Sequence, residues 1–242
     1  MTAPKNNDAR KPLIGRVALV TGASRGIGAA VAKAYAQAGA HVILLARTVG
    51  ALEEVDDAIQ SIGGHATLMP LDLDKPEQIA AAAPAIAERF RRLDILVANA
   101  GILGPMSPVA LSDPRPWEGT FKTNLMANYH LIRALDPLLR GSDAGRALFV
   151  TATEQANAPF FSAYAASKAA LEAMVRAYAA EVAYSPLRVN LIDPGPVRTE
   201  LRADAYPGED TAKLKTPDDV AGMFVELASP DWVDTGKLVK AA

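Results

Sequence analysis

The sequence predicts a single α/β domain: a doubly wound parallel sheet of about seven strands with helices on both faces. Three observations carry this. Short, nearly uninterrupted apolar runs alternate with longer helical stretches from Arg16 to Val239, and strands covered on both faces read as continuous apolar runs. Half of the residues are hydrophobic, enough for a core on each side of a sheet. At 242 residues the chain suits one large domain and needs no second. Right-handed crossovers make such a sheet doubly wound.

The elements follow in order. Arg16–Val20 is the first strand, and the glycine-rich turn Thr21–Gly28 (TGASRGIG) joins it to a helix of strong formers at Ala29–Tyr35. Gly39 caps that helix. His41–Ala46 is the second strand, and Ala51–Ile62 an amphipathic helix stopped by Gly63 and Gly64. Ala66–Leu71 is the third strand, running into Asp72-Leu73-Asp74. Pro76–Arg92 is an alanine-rich helix in which Pro84 predicts a kink. Asp94–Val97 is the fourth strand and delivers Asn99-Ala100-Gly101, after which a proline-filled loop reaches Pro116. A helix over about Trp117–Leu139, the fifth strand Arg146–Val150, a helix over Ser162–Tyr184 and the sixth strand Arg188–Ile192 come next. A helix over Pro217–Ala228 and a seventh strand at Lys237–Val239 complete the alternation. Residues 1–12 are polar and read as a flexible tail ahead of a domain spanning residues 13–242.

Composition narrows the function. A net charge of −2 gives no sign of a nucleic-acid partner or an acidic membrane surface. With no cysteine, disulfide and thiolate chemistry are excluded. The histidines His41, His65 and His130 are scattered, without metal-ligand spacing. The tail lacks the apolar segment of a secretory signal, and no apolar stretch approaches the ~20 residues that span a bilayer. The expectation is a cytoplasmic protein with no membrane partner and no metal.

A glycine-rich turn between a strand and a helix lets a phosphate approach bare main chain, where the free N–H groups and dipole of the new helix hold it. Gly22, Gly26 and Gly28 give that turn a wider spacing than the common dinucleotide fingerprint. Gly22 shapes the turn, Gly26 admits the pyrophosphate and Gly28 lets the helix pack on the strand. Ligands of such sheets bind beyond the carboxyl ends of the strands, so Gly22, Arg47, Asp72, Asn99, Thr151 and Pro194 converge on one crevice. Tyr164 and Lys168 are four apart and share a helix face. A lysine beside a phenol favours phenolate and lowers its pKa, which suits proton exchange.

The TGASRGIG turn, the Asn-Ala-Gly of Asn99–Gly101, Asn124, Tyr164-Ala-Ala-Ser-Lys168 and the segment Pro194–Thr199 occur in an order and spacing that resembles the short-chain dehydrogenase/reductase family, over nearly the whole chain from about Leu13. The resemblance implies a Rossmann-type fold and an oxidoreductase that interconverts a carbonyl and an alcohol. It implies that Tyr164 is the acid/base, that Lys168 holds the nicotinamide ribose and depresses the tyrosine pKa, and that Asn124 holds a water linking Lys168 to solvent. Ser24, Arg25 and Ile27 belong to the phosphate turn. Asp72 and Leu73 contact the adenine, and Asn99, Ala100 and Gly101 support the ribose. Pro194, Gly195 and Val197 lie along the nicotinamide, with Thr199 near its carboxamide. The family's helices pair across a two-fold axis, which implies a homodimer or homotetramer.

Two positions depart from the family pattern. Ala98 replaces the first of two asparagines. The serine that bonds the substrate carbonyl is expected about thirteen residues before the tyrosine; counting back gives Thr151, while counting along the strand gives Ala152, and Thr153 is a further hydroxyl neighbour. Thr151 is favoured, because threonine can donate the same bond. At the end of the second strand no carboxylate awaits a ribose 2′-hydroxyl; Arg47 stands there and Arg25 is near, a pair suited to a 2′-phosphate. NADP(H) is therefore preferred, with NAD(H) as the other cofactor. Leu201, Tyr206, Phe160 and Phe161 are candidates for the wall of a small-molecule site. The uncertain serine position supports one alternative: a catalytically weak or silent NADP(H)-binding sensor or scaffold.

Overall fold

The computed structural model of the protein describes residues 11–241. Seven strands form one parallel sheet in the order β3-β2-β1-β4-β5-β6-β7. They are β1 (Val17–Thr21), β2 (His41–Ala46), β3 (His65–Pro70), β4 (Ile95–Ala98), β5 (Arg146–Val150), β6 (Arg188–Asp193) and β7 (Leu238–Lys240). Order reverses between β1 and β4: the chain builds outward to β3, then returns to the middle and builds the other way. That reversal leaves a crevice at the carboxyl ends of the two central strands.

Eight α-helices among the described residues cover the sheet: α1 (Gly26–Gln37), α2 (Val49–Ser61), α3 (Pro76–Phe90), α4 (Pro114–Phe121), α5 (Ala127–Arg140), α6 (Ser162–Glu181), α7 (Glu200–Ala205) and α8 (Pro217–Ala228). Side chains alternate across a strand, so β1 feeds two cores. Ala18 and Val20 join Val31 and Tyr35 of α1, Leu52 of α2 and Phe224 of α8. Leu19 joins Ile79 of α3, Leu131 of α5 and Leu171 of α6. Each fully buried leucine or isoleucine contributes about 1.5–3 kcal/mol. The Tyr35 hydroxyl donates to the Phe224 carbonyl at 3.0 Å, fastening α1 to α8. At the amino ends of the strands, buried Asp94 accepts from the Val17 N–H (2.9 Å), Ser142 and Arg92. That carboxylate ties β1 and the segment before β5 to β4.

Most elements lie where the sequence places them. Helix α3 runs unbroken through Pro84. The expected helix over Trp117–Leu139 differs more. It begins at Pro114, where the Asp113 side chain accepts from the Arg115 N–H and two prolines sit in the first turn, where no N–H is needed. It is then interrupted by a π-helical turn at Lys122–Met126. The segment after β6, given no element in the sequence reading, holds α7, whose N-cap Thr199 accepts from the Arg202 N–H. The first ten residues of the expected tail lie outside the described residues. Its last two do not hang free, since the Ile14 N–H bonds to the Lys11 carbonyl and Lys11 packs near Gly39.

Candidate active site

One cleft of about 1190 Å³ opens at the carboxyl ends of the strands. Sites for a single drug-sized ligand run to ~300–1,000 Å³, so this cleft has room for a large ligand and a small one together. Every residue expected to bind the cofactor or act in catalysis lines it except Gly28 and Asn124, which stand directly behind its wall.

The glycine turn is built to bring main chain close to a ligand. Gly22 has φ +65° and Gly26 φ +55°, conformations that side chains disfavour. A Cβ on Gly28 would lie 2.2 Å from the Gly22 carbonyl oxygen; only glycine lets α1 start against the end of β1. The N-cap of α1, Arg25, makes no side-chain capping bond, and the first turn carries no acid. The helix therefore keeps its N–H groups and positive end available for an anion. Ser24 and Ile27 flank them in the cleft wall. Arg25 is exposed and pairs with Glu200 of α7, so an ion pair bridges the turn to the far side of the cleft. Exposed Arg47 follows β2 and has no ion-pair partner among the described residues. Asp72 follows β3, where Oδ1 accepts from the Asp74 N–H at 3.1 Å, and Leu73 lies beside it. A dinucleotide phosphate, with a further phosphate at Arg47, fits this donor set.

At the end of β4, Asn99 is clasped to β1. Its Nδ2 donates to the Thr21 carbonyl, and the N–H groups of Asn99 and Ala100 both reach the Thr21 hydroxyl, all at 3.0 Å. Gly101 leaves space for the next layer: a Cβ there would stand 3.2 Å from Asn124 Oδ1 and 3.4 Å from Lys168 Nζ. Asn124 sits in the π turn, a feature that often marks functional sites. Its amide accepts from the Ile102 N–H and donates to the Ile102 carbonyl, both at 2.9 Å, and donates to Ser167 at 3.0 Å. The asparagine thus pins the β4 loop to α6.

Tyr164 and Lys168 lie on one face of α6, both buried. Lys168 Nζ is 5.7 Å from the Tyr164 ring centre and donates to the Val150 carbonyl at 2.9 Å. Burial lowers the Lys168 ammonium to about 8, against a small opposing pull from Asp193. Burial raises the Tyr164 phenol to about 12, and the negative groups Asp193 and Tyr206 add to that. Burial, and not the expected lowering by Lys168, sets the direction of this shift. Near neutrality this tyrosine holds its proton, as a proton donor must.

The end of β5 answers the serine question differently from the count. Thr151 is buried, and its hydroxyl donates to Glu172 on α6 at 2.9 Å. Ala147, Phe149 and Thr151 share one face of the strand, the face that packs on α6. Ala152 turns the other way and packs with Phe161, Tyr164 and Ala205. The Thr153 hydroxyl donates to Asp193 at 2.6 Å and accepts from Lys240. The side chain beside the tyrosine is therefore that of Ala152.

Beyond β6, Pro194, Gly195 and Val197 form the floor. Thr199 has its hydroxyl engaged as the cap of α7 and with the Val197 carbonyl. Leu201, Phe161 and Tyr206 line the cleft as expected; Phe160 is half exposed and does not.

The sequence profile of the short chain dehydrogenase family matches residues 16–210. The chain is a member of that family. It is 41% identical to the oxidoreductase YciK of Escherichia coli K12 over 89% of its own length and 87% of that protein. A short chain dehydrogenase from Shigella flexneri 2a, in a crystal structure complexed with NADP, superposes with a TM-score of 0.91 at 38% identity, covering 95% of this chain and 98% of that one. Another from Escherichia coli CFT073, complexed with NADPH, gives a TM-score of 0.91 at 39% identity, covering 96% and 98%. Among the cleft residues that escaped the sequence reading are Gln155, Asp193 and Glu200. Each is an ordinary polar residue next to a named motif, and only the sheet order brings it to the cleft.

Proposed function

We propose that the protein is an NADP(H)-dependent oxidoreductase that interconverts a carbonyl and an alcohol on a small molecule. The observation that carries this is the buried Tyr164–Lys168 pair at the inner end of a cleft whose outer end is a bare helix N-terminus. Gly22, Ser24 and Arg25 of the turn, with Gly26, Ile27 and Gly28 at the start of α1, would hold the pyrophosphate, and Arg47 would take the ribose 2′-phosphate. Asp72 and Leu73 face the adenine. Asn99, Ala100, Gly101, Pro194, Gly195, Val197 and Thr199 shape the inner half. Bound there, the cofactor supplies or accepts the hydride.

The chain's own part is the proton. Tyr164, neutral because it is buried, gives its phenolic proton to the carbonyl oxygen as the carbon gains hydride, and an alcohol results. The phenolate left behind is balanced by the Lys168 ammonium, fixed by the Val150 carbonyl. Asn124 keeps the β4 loop and α6 in register around that pair. No group of three or more His, Cys, Asp or Glu able to hold a metal occurs among the described residues. No helix among them is long and apolar enough to cross a membrane.

Ala152 favours one second reading, a cofactor-binding protein of little turnover. The test is NADPH consumption with a panel of aldehydes and ketones, wild type beside Tyr164→Phe. Turnover that falls at least 10²-fold in the variant, with NADPH binding intact, supports the reductase. Full activity in the variant refutes Tyr164 as the acid. NADPH binding without tyrosine-dependent turnover supports the second reading.

A further inference from the structure

Beside Tyr164 the hydroxyls of the β5 end are all spent: Thr151 on Glu172, Thr153 on Asp193, and Ala152 has none. Of the hydroxyls that line the cleft near the tyrosine, that of Tyr206 is left with its proton free. Tyr206 closes α7 and lines the cleft, its ring stacked on Phe161 with centres 5.5 Å apart. The Arg202 guanidinium covers the ring at 3.9 Å. Arg202 is itself clamped by Glu209 (2.6 Å) and Glu154 (2.8 Å). Held between Phe161 and a braced guanidinium, the ring is positioned before any substrate arrives.

The direction of its hydrogen bond follows from Gln155. That amide is 7% exposed, and its Nε2 donates to Glu154 Oε2 at 3.1 Å. A carboxylate only accepts, so this contact fixes which end of the amide is nitrogen. The same Nε2 faces the Tyr206 hydroxyl at 3.5 Å. The tyrosine oxygen is thus the acceptor, and Tyr206 donates to no protein group among the described residues. Tyr206 also lies near enough to Tyr164 for its negative form to hold that phenol's proton more tightly.

We infer that Tyr206 is the second hydrogen-bond donor to the substrate carbonyl, filling the role that Ala152 cannot, so that the reacting oxygen is bound between two phenols. Donation from two sides stabilises charge developing on that oxygen while only Tyr164 transfers its proton. The substrate then lies with an apolar or aromatic group against the Phe161–Tyr206 wall. This rests on the reading of Tyr164 as the acid.

The experiment compares wild type, Tyr206→Phe, Tyr206→Phe with Ala152→Ser, and Tyr164→Phe, all with NADPH. Phenylalanine keeps the stack on Phe161 and under Arg202 and removes only the hydroxyl. Turnover is read with 4-nitrobenzaldehyde, and carbonyl binding to the NADPH holoenzyme with benzamide, which is not reduced. Tyr206→Phe is expected to lower kcat/KM about 10²-fold, chiefly in kcat, and to weaken benzamide several-fold, with NADPH affinity within twofold. The added serine should recover at least a tenth of the lost activity, which a merely structural tyrosine would not permit. An effect below threefold in both readings, or no recovery by serine, overturns the inference. Loss in Tyr164→Phe without loss in Tyr206→Phe sinks this inference alone, whereas full activity in Tyr164→Phe sinks the reading beneath it.

Discussion

Replacing Gly28 by alanine should separate the cofactor turn from the rest of the fold. The added Cβ falls 2.2 Å from the Gly22 carbonyl oxygen and 2.7 Å from Asn99 Nδ2. Real Cβ contacts essentially never close below 3.0 Å, so the first turn of α1 must back away by about 0.8 Å. Both neighbours are backbone or clasped to it: Asn99 Nδ2 is bonded to the Thr21 carbonyl. The strain resembles overpacking of a core, about 1–3 kcal/mol of stability. For a bound phosphate, an N–H···O bond of ~2.9 Å would lengthen to ~3.7 Å, outside hydrogen-bond range. Losing one bond to a charged group costs about 1.5–3 kcal/mol, a Kd about 10- to 100-fold weaker. NADPH fluorescence titration reads the affinity, and a urea unfolding curve reads the stability. Gly222→Ala is the control. Gly222 is exposed in α8 with nothing within 4 Å of its would-be Cβ, so alanine there should stabilise by up to ~1 kcal/mol without touching affinity. An NADPH Kd within threefold of wild type for Gly28→Ala, with an unchanged unfolding midpoint, would refute the claim that the bare turn is what the phosphate sees.

Three other outcomes are expected. Arg47→Asp should move the ratio of kcat/KM for NADPH over NADH toward NADH by at least about tenfold, since it replaces a phosphate partner with a repelling charge; an unchanged ratio would place the 2′-phosphate elsewhere. Thr151→Val should leave kcat/KM within about threefold and lower stability by about 1 kcal/mol, because its hydroxyl serves Glu172; a hundredfold loss of turnover with stability intact would return the carbonyl bond to Thr151. Lys168 is held down at about 8, below its unfolded value of ~10.4, so its proton is lost as pH rises through about 8 while Tyr164, near 12, keeps its own. The kcat/KM for NADPH should therefore fall above about pH 8, and folding stability should gain from about pH 8 to pH 10, because burial penalises only the charged form. A profile flat to pH 10 would show that the ammonium is not needed.

How much of this was legible in the sequence depends on how local the cause is. His41–Ala46 and Arg146–Val150 are strands to the residue, because a continuous apolar run has few other uses in an α/β chain. The bare glycine turn and the shared face of Tyr164 and Lys168 were legible because their geometry is fixed within a few residues. The orientation of Thr151 was not, since counting back from the tyrosine runs through the turn at Glu154–Asn157, whose length the count assumes. Strand alternation held the correct signal: Thr151 falls in phase with Phe149 and so turns to α6. Short α7 was hidden because its helix is six residues and its stability comes from the Thr199 cap and the Arg202 contacts, which reach across the fold. Gln155 and Tyr206 gain meaning only from each other.

The π turn at Lys122–Met126 works as a phase shifter. An α-helix advances about 100° per residue, and the turn inserts one residue that the regular ladder between α4 and α5 would not need. Deleting a residue there would give a longer, more uniform helix, with better-aligned backbone bonds. It would also rotate α4 by about a quarter-turn against α5. Thr120, which packs on Gly104, would swing off its partner, and Asn124 would leave Ile102. The irregular turn is thus a mechanical offset between two halves of one rod. One half is set to suit the core and the other to suit the loop that frames the tyrosine.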